Sequence, residues 1–173
     1  AALAELDSHH HPAWQRLAFD ELLAQQLSLA AARAQRRTLT TQSLPAQQRL
    51  TATFLASLPF ALTAAQHRTW TEISSDLAQP HPMQRLLQGD VGSGKTVVAA
   101  LACLQTVENG LQAAFMAPTE ILAEQHAKKL TPLFESLGLR CAWISGSQRK
   151  SARSAAWQAV AAGEADVVFG THA

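Results

Sequence analysis

The most constraining feature of this sequence is a glycine-rich stretch, Gly-Asp-Val-Gly-Ser-Gly-Lys-Thr, at positions 89–96. It fits the pattern G-x-x-x-x-G-K-[ST], in which the backbone turns tightly and points its N–H groups inward at phosphate oxygens. Lys95 would bring a positive charge to the terminal phosphates, and the Thr96 hydroxyl would ligate Mg²⁺. The stretch predicts a nucleoside-phosphate site made by Gly89, Asp90, Val91, Gly92, Ser93, Gly94, Lys95 and Thr96.

Strand-like and helix-like segments alternate on both sides of this loop. The predicted strands cover residues 83–88, 112–117, 139–144 and 166–169, and the predicted helices cover residues 95–108, 119–137 and 149–162. Glycines follow each helix as C-terminal stops. Such alternation predicts a parallel, right-handed, three-layer α/β sheet. Pro132 falls inside the second of these helices and predicts a kink or a break there.

The part of the chain before residue 83 is predicted to be helical. Apolar residues at helical spacing indicate helices over residues 13–37 and about 46–57, with a polar linker at 38–43. A third helix ends near residue 78. Thr63 and Gln66 have the spacing of a capping box at its start.

Composition excludes some classes of function. No apolar run approaches the roughly 20 residues of a membrane span, and the first residues lack the pattern of a signal peptide, so a cytoplasmic location is expected. A net charge of +1 gives no argument for a nucleic-acid partner. The run at residues 9–11 is three adjacent histidines, which cannot all face one ion, so a loop is expected. Cys103 and Cys141 lack ligand-like spacing and are expected to be buried apolar thiols.

Several longer segments carry a family resemblance. They are PMQRLLQGDVGSGKT at 82–96, PFALTAAQ at 59–66, MAPTEILAEQH at 116–126, GTHA at 170–173 and HPAWQRLAFDELL at 11–23. In this order they resemble the RecG family, the ATP-dependent DNA helicases of superfamily two that remodel stalled replication forks. The transcription-repair coupling factor is similar in the loop and in the segment at 116–126, but it lacks the N-terminal helical segment.

The resemblance implies an architecture and a set of partners. Residues 1–58 would be the helical linker from a fork-binding wedge domain, and residues 59–173 the first part of a RecA-like ATP-binding domain with an incomplete parallel sheet. ATP and Mg²⁺ would be the cofactors and forked or branched DNA the partner. The full-length protein would be a monomer.

The resemblance also implies roles for single residues, each with a plainer alternative. Gln66 would read the adenine edge and Phe60 would pack on the base, or Gln66 would only complete the capping box and Phe60 only fill the core. A nucleic-acid strand would be contacted by Pro118, Thr119, Glu120, Gln125 and Thr171. Thr119 could instead be an ordinary helix N-cap, and His172 a loop residue. Arg33, Arg36 and Arg37 could contact fork DNA, but a solvated helix end is the favoured expectation.

One part of the hydrolytic machinery is not found in the sequence. Hydrolysis needs an acidic pair after an apolar strand, and neither Asp166 nor Glu120 has that position. In the RecG family the pair lies on a further strand, and a second motor domain supplies an arginine finger. We therefore expect a part of a motor that by itself neither hydrolyses ATP nor unwinds DNA. Its parallel sheet is expected to have an open apolar edge. The alternatives are a small-molecule kinase and a nucleotide-binding module without catalysis.

Overall fold

The computed structural model describes residues 11–172, which fall into two compact units. Of the described residues, one unit contains 11–42 and 80–82, and the other contains 43–79 and 83–172. Residues 1–10 and Ala173 lie outside the described residues, and with them parts of the predicted histidine loop, of the GTHA segment and of both predicted domains. No helix within residues 11–172 combines the length and the apolar character needed to cross a bilayer.

The first unit is built on one long helix, α1 (Pro12–Arg37), which confirms the helix predicted over residues 13–37. His11 caps its start, because the His11 Nδ1 atom accepts a hydrogen bond from the Ala13 N–H at 3.1 Å. Pro12 stands at the first helical position, where no N–H is needed. No residue of α1 is buried, and apolar side chains such as Phe19 and Leu27 are more than half exposed.

The second unit contains a three-stranded sheet of β1 (Ala113–Ala117), β2 (Cys141–Ile144) and β3 (Val167–Thr171). The strand order is β1-β3-β2, and both pairs are parallel. Three of the four predicted strands and the parallel pairing are therefore confirmed. Phe169 in the central strand is in register with Phe115 on one side and Trp143 on the other.

A glycine sets the distance between the central strand and β2. A Cβ atom at Gly170 would lie 2.3 Å from the backbone carbonyl oxygen of Ile144, a separation that real Cβ atoms do not adopt. Because the obstructing atom is backbone, it cannot move aside without shifting β2. Gly170, which the sequence marks as part of the GTHA segment, therefore has a structural role in bringing β3 against β2.

Five helices accompany the sheet in the second unit. They are α2 (Leu50–Ser57), α3 (Ala64–Leu77), α4 (Lys95–Glu108), α5 (Glu120–Ser136) and α6 (Lys150–Ala161). The helix after the glycine-rich loop, α4, has the predicted bounds. The helix α5 continues through Pro132, so of the two predicted alternatives the break is wrong and the kink stays a prediction. Pro132 is exposed, which leaves the carbonyl group that loses its helical partner able to bond water.

The core of the second unit is centred on three phenylalanines. Phe134 of α5 lies between Phe54 of α2 and Phe169 of β3, with ring centroids 6.2 Å from each. All three are at most 1% exposed. Leu101 and Leu104 of α4 are also fully buried in this cluster. The core thus joins α4, the helix that follows the glycine-rich loop, to α2, to α5 and to the sheet.

The strand predicted at residues 83–88 is absent, and this prediction is wrong. A strand exists only where its N–H and C=O groups pair with a neighbour, and none of the three strands pairs with this segment. The segment is held instead by side chains. Arg85 forms ion pairs with Glu72 and Asp76 of α3, at 2.6 Å and 2.5 Å. Leu86 is 90% exposed, so the segment is not part of the core.

The helix predicted from about residue 46 begins later, at Leu50. Its first N–H groups are bonded by a side chain of another helix and not by its own N-cap residue. The Arg49 N-cap side chain makes no capping bond, and Gln48 has a positive φ of 59°. A carboxylate oxygen of Glu108, in the last turn of α4, accepts the N–H groups of Leu50 and Thr51. An acidic group at a helix N-terminus is stabilising. Residues 43–58 lie in the second compact unit. The functional division at residue 58 stays a prediction.

The two cysteines are partly buried and have raised thiol pKa values. Burial raises the pKa of Cys103 to about 11, and burial is also the main cause that raises the pKa of Cys141 to about 11. Because their pKa values are raised, both thiols are protonated at neutral pH. The reactive form is the thiolate, so neither group is expected to act as a nucleophile. This agrees with their expected role as apolar packing residues.

An ion pair links Asp166, the residue before β3, to Arg140, the residue before β2. The Arg140 guanidinium bonds both carboxylate oxygens of Asp166, at 2.8 and 3.1 Å, and the Arg140 backbone N–H donates to the same carboxylate at 2.7 Å. These bonds to Arg140 hold the pKa of Asp166 below its ordinary value of 3.8. A lowered pKa in the folded state means that the bond stabilises the fold above the unfolded pKa. That contribution is lost as the pH falls through the lower folded value.

We expect Asp166→Asn to lower the free energy of unfolding at pH 7 by about 1 kcal/mol or less, because the Arg140 side chain is more than half exposed. The difference from the unsubstituted chain should shrink as the pH falls below about 4. Urea unfolding at several pH values measures both effects. Asp20→Asn, which removes the exposed pair of Arg16 and Asp20 in α1, is the control. A pH-independent difference for Asp166→Asn would contradict the assignment.

Candidate nucleotide-binding site and strand-end edge

The loop at residues 89–96 joins the extended segment after α3 to the first turn of α4. Gly92 and Gly94 have φ values of 81° and 80°, which side chains rarely adopt. A turn is closed by the bond from the Ser93 N–H to the Asp90 carbonyl at 3.1 Å, and Gly94 is the N-cap of α4. The loop thus leads directly into a helix N-terminus, whose dipole and free N–H groups favour anions.

The lysine of the motif lies within the curve of the loop. The Lys95 ammonium donates to the carbonyl oxygens of Gly89 and Asp90 at 2.7 and 2.8 Å, and reaches the Ser93 hydroxyl at 3.5 Å. The side chain is therefore directed at the loop rather than away from it. Phosphate oxygens are stronger acceptors for an ammonium group than neutral carbonyls. The arrangement fits the phosphate contact predicted for Lys95.

Gln66 links the start of α3 to the loop. Its Oε1 atom accepts from the Thr63 N–H at 2.9 Å while Thr63 caps the Gln66 N–H, which confirms the predicted capping box. Its Nε2 atom donates to the Ser93 carbonyl at 2.8 Å. A Cβ at Gly94 would meet that Nε2 atom at 2.2 Å, so glycine is needed for this approach. The amide keeps one N–H and one lone pair, sufficient for the adenine contact that remains a prediction.

Two cavities lie against the loop. The larger, about 480 Å³, is lined by Phe60 together with Gly92, Gly94, Lys95 and Thr96. The smaller, about 380 Å³, is lined by Gln66 together with Gly89, Asp90, Ser93 and Lys95. Phe60 is 51% exposed, which argues against a pure core role, and its contact with the adenine face stays a prediction. Val91 is fully exposed at the loop tip.

Thr119 follows β1 at the edge where parallel strands end. It is the N-cap of α5, and its hydroxyl accepts the Leu122 N–H at 3.4 Å. The plain N-cap alternative is therefore confirmed, and the nucleic-acid role of Thr119 stays a prediction. Pro118 and Gln125 are exposed beside it. Ala117, the last residue of β1, is in register with Thr171 of β3, so the fold brings the two predicted contact segments to the same edge.

Glu120 has a partner within the chain, and its predicted DNA contact stays a prediction. Its Oε1 atom accepts the Ser147 N–H at 2.9 Å, in the loop that follows β2. Hydrogen bonds from Ser147 lower the pKa of Glu120. A carboxylate would repel a DNA phosphate, so Glu120 is better suited to holding the loop after β2 against the strand-end edge. His172 is exposed, as expected of a loop residue.

A family model described as DEAD/DEAH box helicase matches residues 63–173, which is more than half of the chain. The chain belongs to the DEAD/DEAH box helicase family. The match begins at the N-cap of α3 and takes in the glycine-rich loop, the whole sheet and every residue of the candidate site except Phe60.

Individual relatives narrow the resemblance within the helicase family. The chain is 48% identical over 171 residues to the ATP-dependent DNA helicase RecG of Escherichia coli strain K12, covering 99% of this chain and 25% of that protein. It is 44% identical over 163 residues to the Bacillus subtilis RecG, covering 92% of this chain and 24% of the relative. The chain thus spans about a quarter of the length of the curated relatives it matches.

Solved helicase structures agree with the fold. A structure of RecG bound to a three-way DNA junction matches with a TM-score of 0.84 and 42% identity, over 91% of this chain and 22% of that one. A hypothetical ATP-dependent RNA helicase from Sulfolobus tokodaii matches with a TM-score of 0.53 at 19% identity, over 72% of this chain and 34% of that one, and supports the fold alone.

Sequence reasoning missed two polar contacts of this helicase-family chain. The Ser147 contact of Glu120 could have been suspected, because Gly146 and Ser147 follow β2 at the same edge as Thr119. The second is Gln105 of α4, which is fully buried. Its amide donates to the carbonyl groups of Leu44 and Ser74 at 2.6 and 3.1 Å, and its Oε1 accepts the Ser74 hydroxyl at 2.7 Å. A glutamine on a helix carries no sequence signal for such burial.

Proposed function

We propose that this chain is the nucleotide-binding part of the motor of an ATP-dependent DNA helicase that remodels forked or branched DNA. The observation that carries the proposal is the loop at residues 89–96, with two left-handed glycines and a lysine ammonium inside its curve. Support for the DNA substrate comes from the relatives named ATP-dependent DNA helicase RecG and from the RecG structure bound to a three-way junction.

Different residues of the site would bind different parts of ATP. Backbone N–H groups around Gly92 and Gly94 and the first turn of α4 face the phosphates, and Lys95 neutralises their charge. The Thr96 hydroxyl, in the larger cavity, would ligate Mg²⁺, which supplies charge neutralisation at the terminal phosphate. Gln66 and Phe60 would select adenine by its edge and its face. Within residues 11–172 no cluster of three or more His, Cys, Asp or Glu side chains could bind a metal by itself.

The strand-end edge would carry the DNA. Pro118, Thr119, Gln125 and Thr171 would contact the phosphate backbone, and Glu120 would hold the neighbouring loop through Ser147. Such contacts position a strand without reading its sequence, which suits a motor that acts on any fork. We further propose roles in DNA repair and recombination, a cytoplasmic location and a monomeric full-length protein. The linker and motor would divide at residue 58.

The proposal is tested by nucleotide hydrolysis in the intact protein to which this chain belongs. We expect hydrolysis of ATP to be stimulated at least about tenfold by forked DNA, and less by linear duplex, because DNA bound at the strand-end edge closes the motor. A steady-state phosphate-release assay with matched fork and duplex oligonucleotides measures this. Hydrolysis indifferent to DNA, or phosphate transfer to a small acceptor, would show that the chain serves a different phosphate-loop enzyme.

A further inference from the structure

The larger cavity beside the glycine-rich loop contains a second lysine that the motif does not include. Lys129 of α5 lines this cavity together with Lys95 and Thr96. Leu133, one helical turn further along α5, lines it too, as expected of residues four apart on one helix face. At about 480 Å³ the cavity falls within the range of about 300–1,000 Å³ that small-molecule sites occupy.

The charged side chains that line this cavity are all positive. Among the described residues that line it, Lys95 and Lys129 carry charge and no aspartate or glutamate is present; the remainder are apolar side chains, glycines and a threonine. The other loop cavity differs, since Asp90 lines it. A cavity with two ammonium groups and no carboxylate favours an anionic occupant.

Lys129 is also unengaged by neighbouring side chains. Within residues 11–172 no hydrogen bond or ion pair holds its ammonium group, whereas the adjacent Lys128 pairs with Glu124 at 2.9 Å and lines a different groove. Burial, and secondly the charge of Lys129, lower the pKa of His126, one turn earlier on α5.

We propose, on the basis of the nucleotide-binding function above, that Lys129 is a second cation for the phosphates of the bound nucleotide. Lys95 contacts them from the loop, and Lys129 reaches them from α5 on its flexible four-carbon stem. A flexible point charge of this kind contacts ground state and transition state alike. It therefore strengthens nucleotide binding without changing the rate of the chemical step.

The test compares dissociation constants for ATP and ADP, measured on this chain by competition with a fluorescent nucleotide. We expect Lys129→Ala to weaken both by about three- to tenfold, and Lys129→Glu to weaken them more, because one charge-assisted contact is lost and then reversed. Lys129→Arg, which keeps the charge, should bind within about twofold of the unsubstituted chain. Unfolding midpoints without nucleotide should not change, since Lys129 is exposed.

Lys128→Glu is the matched control, because it makes the same change in net charge one residue away, outside this cavity. It should alter nucleotide affinity by less than about twofold. Binding by Lys129→Ala and Lys129→Glu at unsubstituted strength would overturn the inference. Equal losses for Lys128→Glu and Lys129→Glu would overturn it too. A chain that binds no nucleotide, or a Lys95→Ala chain that binds normally, would instead overturn the proposed function.

Discussion

Replacing Lys95 with alanine should reduce nucleotide binding by this chain by about ten- to a hundredfold, and ATP hydrolysis by the intact protein by at least about a hundredfold. The reason is the position of the ammonium group inside the loop, where it bonds the carbonyl groups of Gly89 and Asp90. From there no other side chain of the loop can supply its charge. Titration with a fluorescent nucleotide and a phosphate-release assay measure the two effects.

The control for Lys95 is Lys128→Ala, which removes a lysine of α5 that is 73% exposed. It should leave binding and hydrolysis within about twofold of the unsubstituted protein. Thermal unfolding of both variants separates a loss of binding from a loss of fold. Should Lys95→Ala support hydrolysis at the normal rate, the loop would have to be a structural turn and not a phosphate site.

Replacing Phe134 with alanine should have the largest effect on stability, about 3–5 kcal/mol in the free energy of unfolding. Phe134 is completely buried, and its ring meets those of Phe54 and Phe169 at 6.2 Å. The cavity left behind would separate α2, α5 and β3 at their common contact. Because natural domains are stable by only about 5–15 kcal/mol, we expect a cooperative unfolding midpoint that is much lower or no longer detectable.

A graded series makes the Phe134 result interpretable. Phe134→Leu retains most of the apolar volume and should cost about 1–2 kcal/mol, and Trp157→Ala, on a side chain that is 57% exposed, should cost about 0.5 kcal/mol or less. Urea unfolding followed by circular dichroism gives all three values. Equal costs for Phe134→Ala and Trp157→Ala would mean that the three-ring core is not the centre of this unit.

Local signals in the sequence predicted much of the second unit. The glycine-rich loop and the helix after it were predicted with the bounds that the structure has, because a left-handed turn and a helix N-terminus are determined by neighbouring residues. The same is true of the capping box at Thr63. The positions of β1, β2 and β3 followed from apolar runs between helix stops.

What the sequence did not predict depends on partners distant along the chain. Residues 83–88 have the composition of a strand, but a strand needs a paired neighbour, and the described sheet offers none to this segment. The β1-β3-β2 order is likewise invisible in a linear pattern. Glu108 carried no signal as a helix residue and Glu120 was assigned to a nucleic-acid contact, although one caps α2 and the other binds the Ser147 N–H. Single-sequence spacing cannot report such contacts.

The capping of α2 by Glu108 has a mechanical consequence. The helix α4 has 14 residues, or about 21 Å at helical rise. It is a stiff rod with the phosphate loop at one end and a carboxylate bonded to the first amides of another helix at the other. A rod of this kind transmits a shift along its axis from one end to the other. A nucleotide that moved Gly94 along this axis would therefore displace Leu50, about two nanometres away.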